Sequence, residues 1–357
     1  MAVVDHKTFD TNDADKEGVS EPSRTGVYWA VGLILVILPA FTGEFILSDI
    51  VSRILVMGMI ALSLMFLAGY GGMVSLAQLT IAGVAAYMTA VFGTSAITEI
   101  SIGLTWWIAV PIAIIIAMIF GTMVGALSVR TEGIYTIMIT LAISAAFFFL
   151  ANQNYDIFNG FSGINQVLPP VFVGVNWGNT IPFYYLCLFL AAVSYALVLY
   201  VSRSPFGLAL QGIRDNPRRM AALGFNVTAH RIAAYTFASL VAGVGGVLMV
   251  WMNTAISPGA VSIAVVIDVL VMAVVGGLGH PVGAFLGAAV FIILETFALD
   301  VLETLGLPGE RFQLLIGIGF LVIIFWSDDG LLGLWRKWRE RSAKRDPLLG
   351  DLEGDGK

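Results

Sequence analysis

Apolar runs close to the length needed to cross a bilayer recur from residue 26 to residue 327, and the stretches between them are mostly short. Crossing ~30 Å of hydrocarbon takes roughly 20 apolar residues in a helix. Lipid cannot satisfy the backbone groups of an open strand, so helices are the spanning form. Ten runs fit, at 26–43, 47–68, 73–92, 106–129, 133–151, 181–202, 232–252, 263–278, 282–300 and 311–327. The expectation is an all-α integral membrane protein of about ten transmembrane helices. With 58% hydrophobic and 12% charged residues, the chain stands well away from soluble domains, which hold about 25% charged residues.

Lys and Arg are retained on the cytoplasmic side during insertion. With ten spans and the amino terminus inside, sixteen of the eighteen Lys and Arg residues fall inside, leaving Arg53 and Arg311 outside. Both termini are therefore read as cytoplasmic. Residues 1–25 are polar and acidic and read as a disordered tail, too polar for the leading region of a signal peptide. Residues 26–327 form the transmembrane domain. Residues 328–357 form a basic tail in which Trp335 and Trp338, beside Arg336, Lys337 and Arg339, suit an interfacial anchor. Ten spans divide five and five; an odd number per half would insert two related halves in opposite orientations, the inverted-repeat plan of many transporters.

Few residues are of the kinds that chemistry needs. No GxxxxGK[ST], HExxH or GxSxG occurs, and the glycines near 276 are not flanked by a strand pattern that would support a nucleotide fingerprint. The single Cys187 allows no internal disulfide and is read as packing. His6, His230 and His280 lie away from the expected membrane interior. Arg53, Asp268 and Glu295 are the ionisable groups within spans, all toward the outer ends. A carrier driven by protons or sodium usually holds a charge at mid-depth, so this distribution weighs against self-powered transport.

One polar interruption has the build of a structured element. From Ser204 to Arg231, Pro205 and Gly207 open a helical run, Asp215-Asn216-Pro217 breaks it and starts another, and Gly224 ends that one. Arg214, Arg218 and Arg219 sit near the small Ala221 and Ala222, which would let a second surface approach; an ordinary basic loop is the plain alternative. On the other side, the stretch 152–180 carries no Lys or Arg. Gly160, Gly163, Pro169 and Pro170 give it fixed turns, so it could receive a soluble partner.

Within the spans, Gly69, Gly71 and Gly72 precede Ser75, Gln78 and Thr80. Such groups at membrane depth either bond between helices or line a path for a small polar solute. Tyr135 and Thr140 offer the same choice. Gly276, Gly277, Gly283 and Gly287 repeat small residues, the last two on one helix face, where they permit close packing.

Four stretches then combine in order: the glycine cluster with Ser75-Leu76; Arg130, Gly133-Ile134-Tyr135 and Thr140-Leu141-Ala142; SPFG…GIRDN…AALG leading to His230-Arg231; and the glycines from 276 to 287. Together they resemble the permease subunits of ABC importers of the LivM branched-chain amino acid type, over most of residues 50–330. The resemblance implies a type II-like importer permease fold in a cell inner membrane, with residues 203–231 as the coupling loop. Arg214, Asp215, Asn216, Arg218, Arg219, Ala221, Ala222 and Gly224 would face an ATPase. Ser75, Gln78, Thr80, Tyr135 and Thr140 would border the path, and Gly71, Gly72, Gly276, Gly277, Gly283 and Gly287 would serve packing. Met220 stands where the loop motif usually has an acidic residue. The implied partners are a second homologous permease, two ATPase subunits and a solute-binding protein, with no nucleic acid. ATP and Mg would be bound by the ATPases, and this chain would hold no catalytic, cofactor or metal residue. A urea or short-amide permease, or an ATP-independent secondary transporter, are the alternative readings.

Overall fold

The computed structural model describes residues 32–304, apart from 98, 132 and 173, together with residue 317. The tails expected at 1–25 and 328–357 and the span expected at 311–327 lie outside the described residues, save residue 317. The chain divides after Gly43 into two units. In the first, residues 32–37 are helical and tighten into a 3-10 turn at Leu38–Ala40, where Thr42 Oγ1 donates to the Leu38 carbonyl at 2.9 Å.

The second unit is built on α1 (Ile46–Tyr70), α2 (Gln78–Phe92), α3 (Trp106–Ser128), α4 (Ile134–Gln153) and α5 (Thr180–Arg203). Two short helices follow, α6 (Pro205–Asp215) and α7 (Pro217–Ala222). Then come α8 (Val227–Asn253), α9 (Ile263–Gly276) and α10 (Pro281–Thr304). Five of these, α1, α3, α4, α5 and α8, are each long and apolar enough to cross a membrane, and the bent pair α9–α10 makes a sixth candidate.

Two elements differ from the spans expected at their positions. α2 has 15 residues, about 22 Å at 1.5 Å per residue, because the chain before it is not helical; residues 73–77 are irregular where a span was expected to begin. α9 and α10 were expected as two separate spans. They are joined at Gly277 with a 119° change of direction, so the chain turns back on itself as a bent hairpin.

Small residues decide the packing. α8 meets α2 backbone to backbone, since a Cβ on Gly246 would strike the carbonyl of Ala82. α3 approaches α8 at Gly121, where Ser239 fills the space, and Thr122 Oγ1 lies 2.8 Å from Thr236 Oγ1 across the same contact. In the hairpin, a Cβ on Gly283 would meet the carbonyls of Gly276 and Gly277, and one on Gly287 would meet that of Met272. Between apolar helices in lipid, this close approach supplies attraction that the hydrophobic effect does not. α10 lies along α1, with Phe285 against Gly58, and Arg53 Nη2 paired with Glu295 at 2.9 and 3.0 Å. The pair gives Arg53 and Glu295, two of the three ionisable groups within the spans, a partner in each other.

Opposite the face bearing α6 and α7, the stretch after α4 is tied down. Asn154 caps the single turn Tyr155–Phe158 by accepting from Ile157 N at 2.9 Å. Strands β1 (Ile164–Asn165) and β4 (Ala255–Ile256) pair antiparallel, joining this stretch to the end of α8, while β2 (Val171–Phe172) and β3 (Val175–Asn176) form a small hairpin. Gly163 has φ +66°, and a Cβ there would strike the Ile256 carbonyl. The all-α expectation thus needs a small correction: a loop carrying Gly and Pro satisfies part of its backbone through these short ladders.

Candidate functional site

Two places combine unusual backbone with polar side chains: the α6–α7 loop and the break between α1 and α2. In the loop, each helix start is capped. Ser204 accepts from Gly207 N at 3.3 Å, Asn216 from Arg219 N at 2.9 Å, and Asn226 from Ala229 N at 3.0 Å. Pro205 and Pro217 occupy the first helical positions, where a missing N–H costs nothing. Gly224, with φ +92°, ends α7.

α6 is seated on the bundle. Gly207, Ala209, Leu210 and Ile213 are buried, and Gln211 Nε2 donates to the Ser202 carbonyl at 3.0 Å. α7 buries none of its residues. Arg218, Arg219, Ala221 and Ala222 are exposed, and Met220 folds back so that its sulfur occupies the space beside Gly212. His230 stacks on Phe206 at 5.7 Å and meets Phe225 edge-on at the same distance, joining the start of α6 to the start of α8.

Arg214, one of the residues expected to face an ATPase, also makes contacts inward. Its Nη1 donates to the Gly69 carbonyl at 2.5 Å, and its Nε and Nη2 each lie 2.9 Å from Asp215. The side chain, 41% exposed, thus reaches the bundle at Gly69.

In the break, irregular backbone at membrane depth must find partners inside the protein. Leu76 N donates to Thr140 Oγ1 at 3.1 Å, and the Leu76 carbonyl accepts from Ser144 Oγ at 3.1 Å. Both backbone polar groups of one residue, Leu76, are thereby held by two hydroxyls of α4. Ser75, Gln78 and Thr80 are fully buried. Gln78 Oε1 accepts from Ser63 at 3.0 Å, while Gln78 Nε2 and Thr80 Oγ1 have no hydrogen-bond partner among the described residues, and the buried Tyr235 hydroxyl faces Ser75 and Ser128. Tyr135 is 66% exposed, whereas Thr140 is buried. Five residues along a helix turn the side chain by about 140°, so these two cannot share a face.

Sequence reasoning passed over Ser144, Ser63 and Tyr235. Ser144 had a usable signal: it stands four residues after Thr140, on the same face. Gly71 lies near Leu210, and Gly72 lies under the stem of Arg214. Both expected packing glycines therefore touch α6. Among the described residues, no group of His, Cys, Asp or Glu could hold a metal ion.

A family model for the branched-chain amino acid transport system permease component matches residues 46–324. The chain belongs to this permease family. A LivM permease of Escherichia coli K12 is 24% identical over 300 residues, covering 78% of this permease and 66% of its relative. A probable LivM of Methanocaldococcus jannaschii is 28% identical over 233 residues, covering 62% and 67%. A nucleoside ABC transporter permease of Lactococcus lactis is 30% identical over 119 residues, covering 31% and 35%. The permease thus spans about two thirds of the length of the LivM relatives. No solved structure matches it. The matched region contains both the α1–α2 break and the α6–α7 loop.

Proposed function

We propose that this permease is the membrane subunit of an ATP-driven importer of branched-chain or other neutral amino acids in a cell inner membrane. The observation that carries the reading is the α6–α7 loop: two capped helices, one seated on the bundle and one wholly exposed with Arg218 and Arg219 outward. A loop that only crossed a surface would not need three side-chain caps.

In this reading two ATPases bind ATP and Mg, and one of them docks on α7 through Arg218, Arg219, Ala221 and Ala222, with Asn216 and Gly224 fixing the helix ends. A second homologous permease completes the membrane assembly, and a solute-binding protein docks on the face that carries β1 to β4. Transport follows from alternating access, in which solute and ATP favour different states of the same bundle. Both termini are cytoplasmic, and ten spans in two inverted halves of a type II-like fold complete the architecture.

Gln78 and Thr80, with buried atoms that have no partner among the described residues, are the first candidates to meet a polar solute. Ser75 lies beside them. Thr140 contributes by holding the break, and Tyr135 by facing lipid or the second permease. Names among the relatives include both branched-chain amino acid and nucleoside permeases, and the wider coverage of the former, 78% of this chain against 31%, favours amino acids.

Reconstitution tests this directly. The permease alone in vesicles should accumulate no solute against a gradient, while the full set with ATP and leucine should. Uphill accumulation by the permease alone would defeat the proposal.

A further inference from the structure

Resting on the docking role given above to the α6–α7 loop, we infer that Arg214 is a positioning residue that fastens α6 to the broken end of α1, so that motion of the loop is delivered to residues 71–77. Gly69, whose carbonyl accepts from Arg214 Nη1, lies in the wide π-turn Phe66–Tyr70 that ends α1. Carbonyls at such an end lack onward helical partners and carry the negative end of the helix dipole, which suits a guanidinium.

The stem of Arg214 lies over Gly72: a Cβ there would come within 2.6 Å of its Cγ. Gly72 has φ +66°, so the position is closed to a side chain on both counts. One turn earlier on α6, the buried Leu210 lies 3.8 Å from where a Cβ on Gly71 would stand. Asp215 engages Nε and Nη2 and so leaves Nη1 aimed at Gly69.

The far end of the break is anchored separately, by Thr140 and Ser144 of α4 on the backbone N–H and carbonyl of Leu76. A short irregular segment is therefore held at one end by α6 and at the other by α4. Gly69 also backs onto the carbonyl of Leu278, in the turn of the α9–α10 hairpin. A single guanidinium touches the point where two chain reversals meet. Arg218 and Arg219 make no side-chain hydrogen bond among the described residues, and they are the ones free to meet a partner.

The test uses the assembled complex in vesicles and the purified permease by hydrogen exchange. Arg214→Ala should leave ATPase association at the wild-type level while lowering solute moved per ATP hydrolysed by about 10-fold, the size expected for losing a hydrogen bond to a charged group. Amides of residues 69–77 should exchange faster, with those of α8 unchanged. Arg214→Lys, which keeps a cationic donor, should recover part of the coupling. Loss of ATPase association in Arg214→Ala, or unchanged transport per ATP, would overturn the inference.

If Arg214→Ala does not fold, Asp215→Asn carries the test. It leaves the guanidinium unaimed and should lower coupling in the same direction by less, and unchanged coupling there counts against the inference. Failure of the docking reading has a different signature: Arg218→Glu with Arg219→Glu would leave ATPase association intact. In that event the exchange of residues 69–77 in the isolated permease still decides whether Arg214 holds the break.

Discussion

α6 and α7 are consecutive, both begin with a proline behind a capping side chain, and both lie in the same polar interruption, yet they are built to opposite ends. α6 buries four residues and is tied to α5, α1 and α8. α7 buries none and shows its arginines to solvent. A rigid seat beside an exposed face is what transmission of force requires: a docking helix on a loose tether would move without moving the bundle. The difference lies in three or four side chains, since the caps are shared.

The largest expected effect comes from unseating α6. At Gly207 a Cβ would come within 2.5 Å of the Ser202 carbonyl and would also strike that of Val201, and neither oxygen can move without unwinding the end of α5. Gly207→Val should abolish uptake and sharply reduce the yield of monodisperse permease. Normal uptake would mean that α6 is not held where it lies. Next, two leucines two residues apart separate the buried face of α6 from its exposed one. Leu210 is fully buried and Leu208 is 61% exposed. Leu210→Ala should destabilise by about 2–5 kcal/mol, read as a lowered thermal midpoint, and Leu208→Ala should leave it nearly unchanged. Equal shifts would erase the distinction between the two faces.

Charge reversal at α7 should do the converse. Arg218→Glu with Arg219→Glu removes no internal contact, so the thermal midpoint should hold while ATPase co-purification drops about tenfold, roughly 1.4 kcal/mol. A lower midpoint with undiminished association would mean that α7 supports the fold and not a partner.

How much of this was legible beforehand depends on the kind of signal. Caps and breakers act locally, so Pro205, Asn216, Pro217 and Gly224 marked the ends of α6 and α7 from the sequence alone. Apolar length likewise located α1, α3, α4, α5 and α8. It misjudged the start of α2, because hydropathy reports that residues 73–77 are apolar enough to be buried but not whether they are helical. Thr140 and Ser144, more than sixty residues away, are what satisfy both backbone groups of Leu76 in that irregular stretch. The direction of Arg214 was hidden for the same reason: its acceptor is a backbone carbonyl 145 residues distant, and a carbonyl leaves no mark in the residue types. The glycines of the hairpin were visible as small residues four apart, while the 119° reversal between α9 and α10 follows from which carbonyls they meet.

The smallest effect tests whether the exposed helix must be a helix before it meets anything. α7 is six residues long and has no buried side chain. Isolated helices this short do not hold themselves together, so its order rests on its ends: Asn216 accepting from Arg219 N, Pro217 preset for the first turn, and Met220 folded against Gly212. Asn216→Ala removes the cap, worth about 1 kcal/mol, and should speed amide exchange at residues 217–222 severalfold while leaving α6 untouched. Asn216→Asp, which keeps the acceptor, should restore protection. If exchange in α7 does not change, its helix is imposed from elsewhere. If α6 exchanges faster as well, the two helices are one cooperative unit, and the contrast between seat and face gives way.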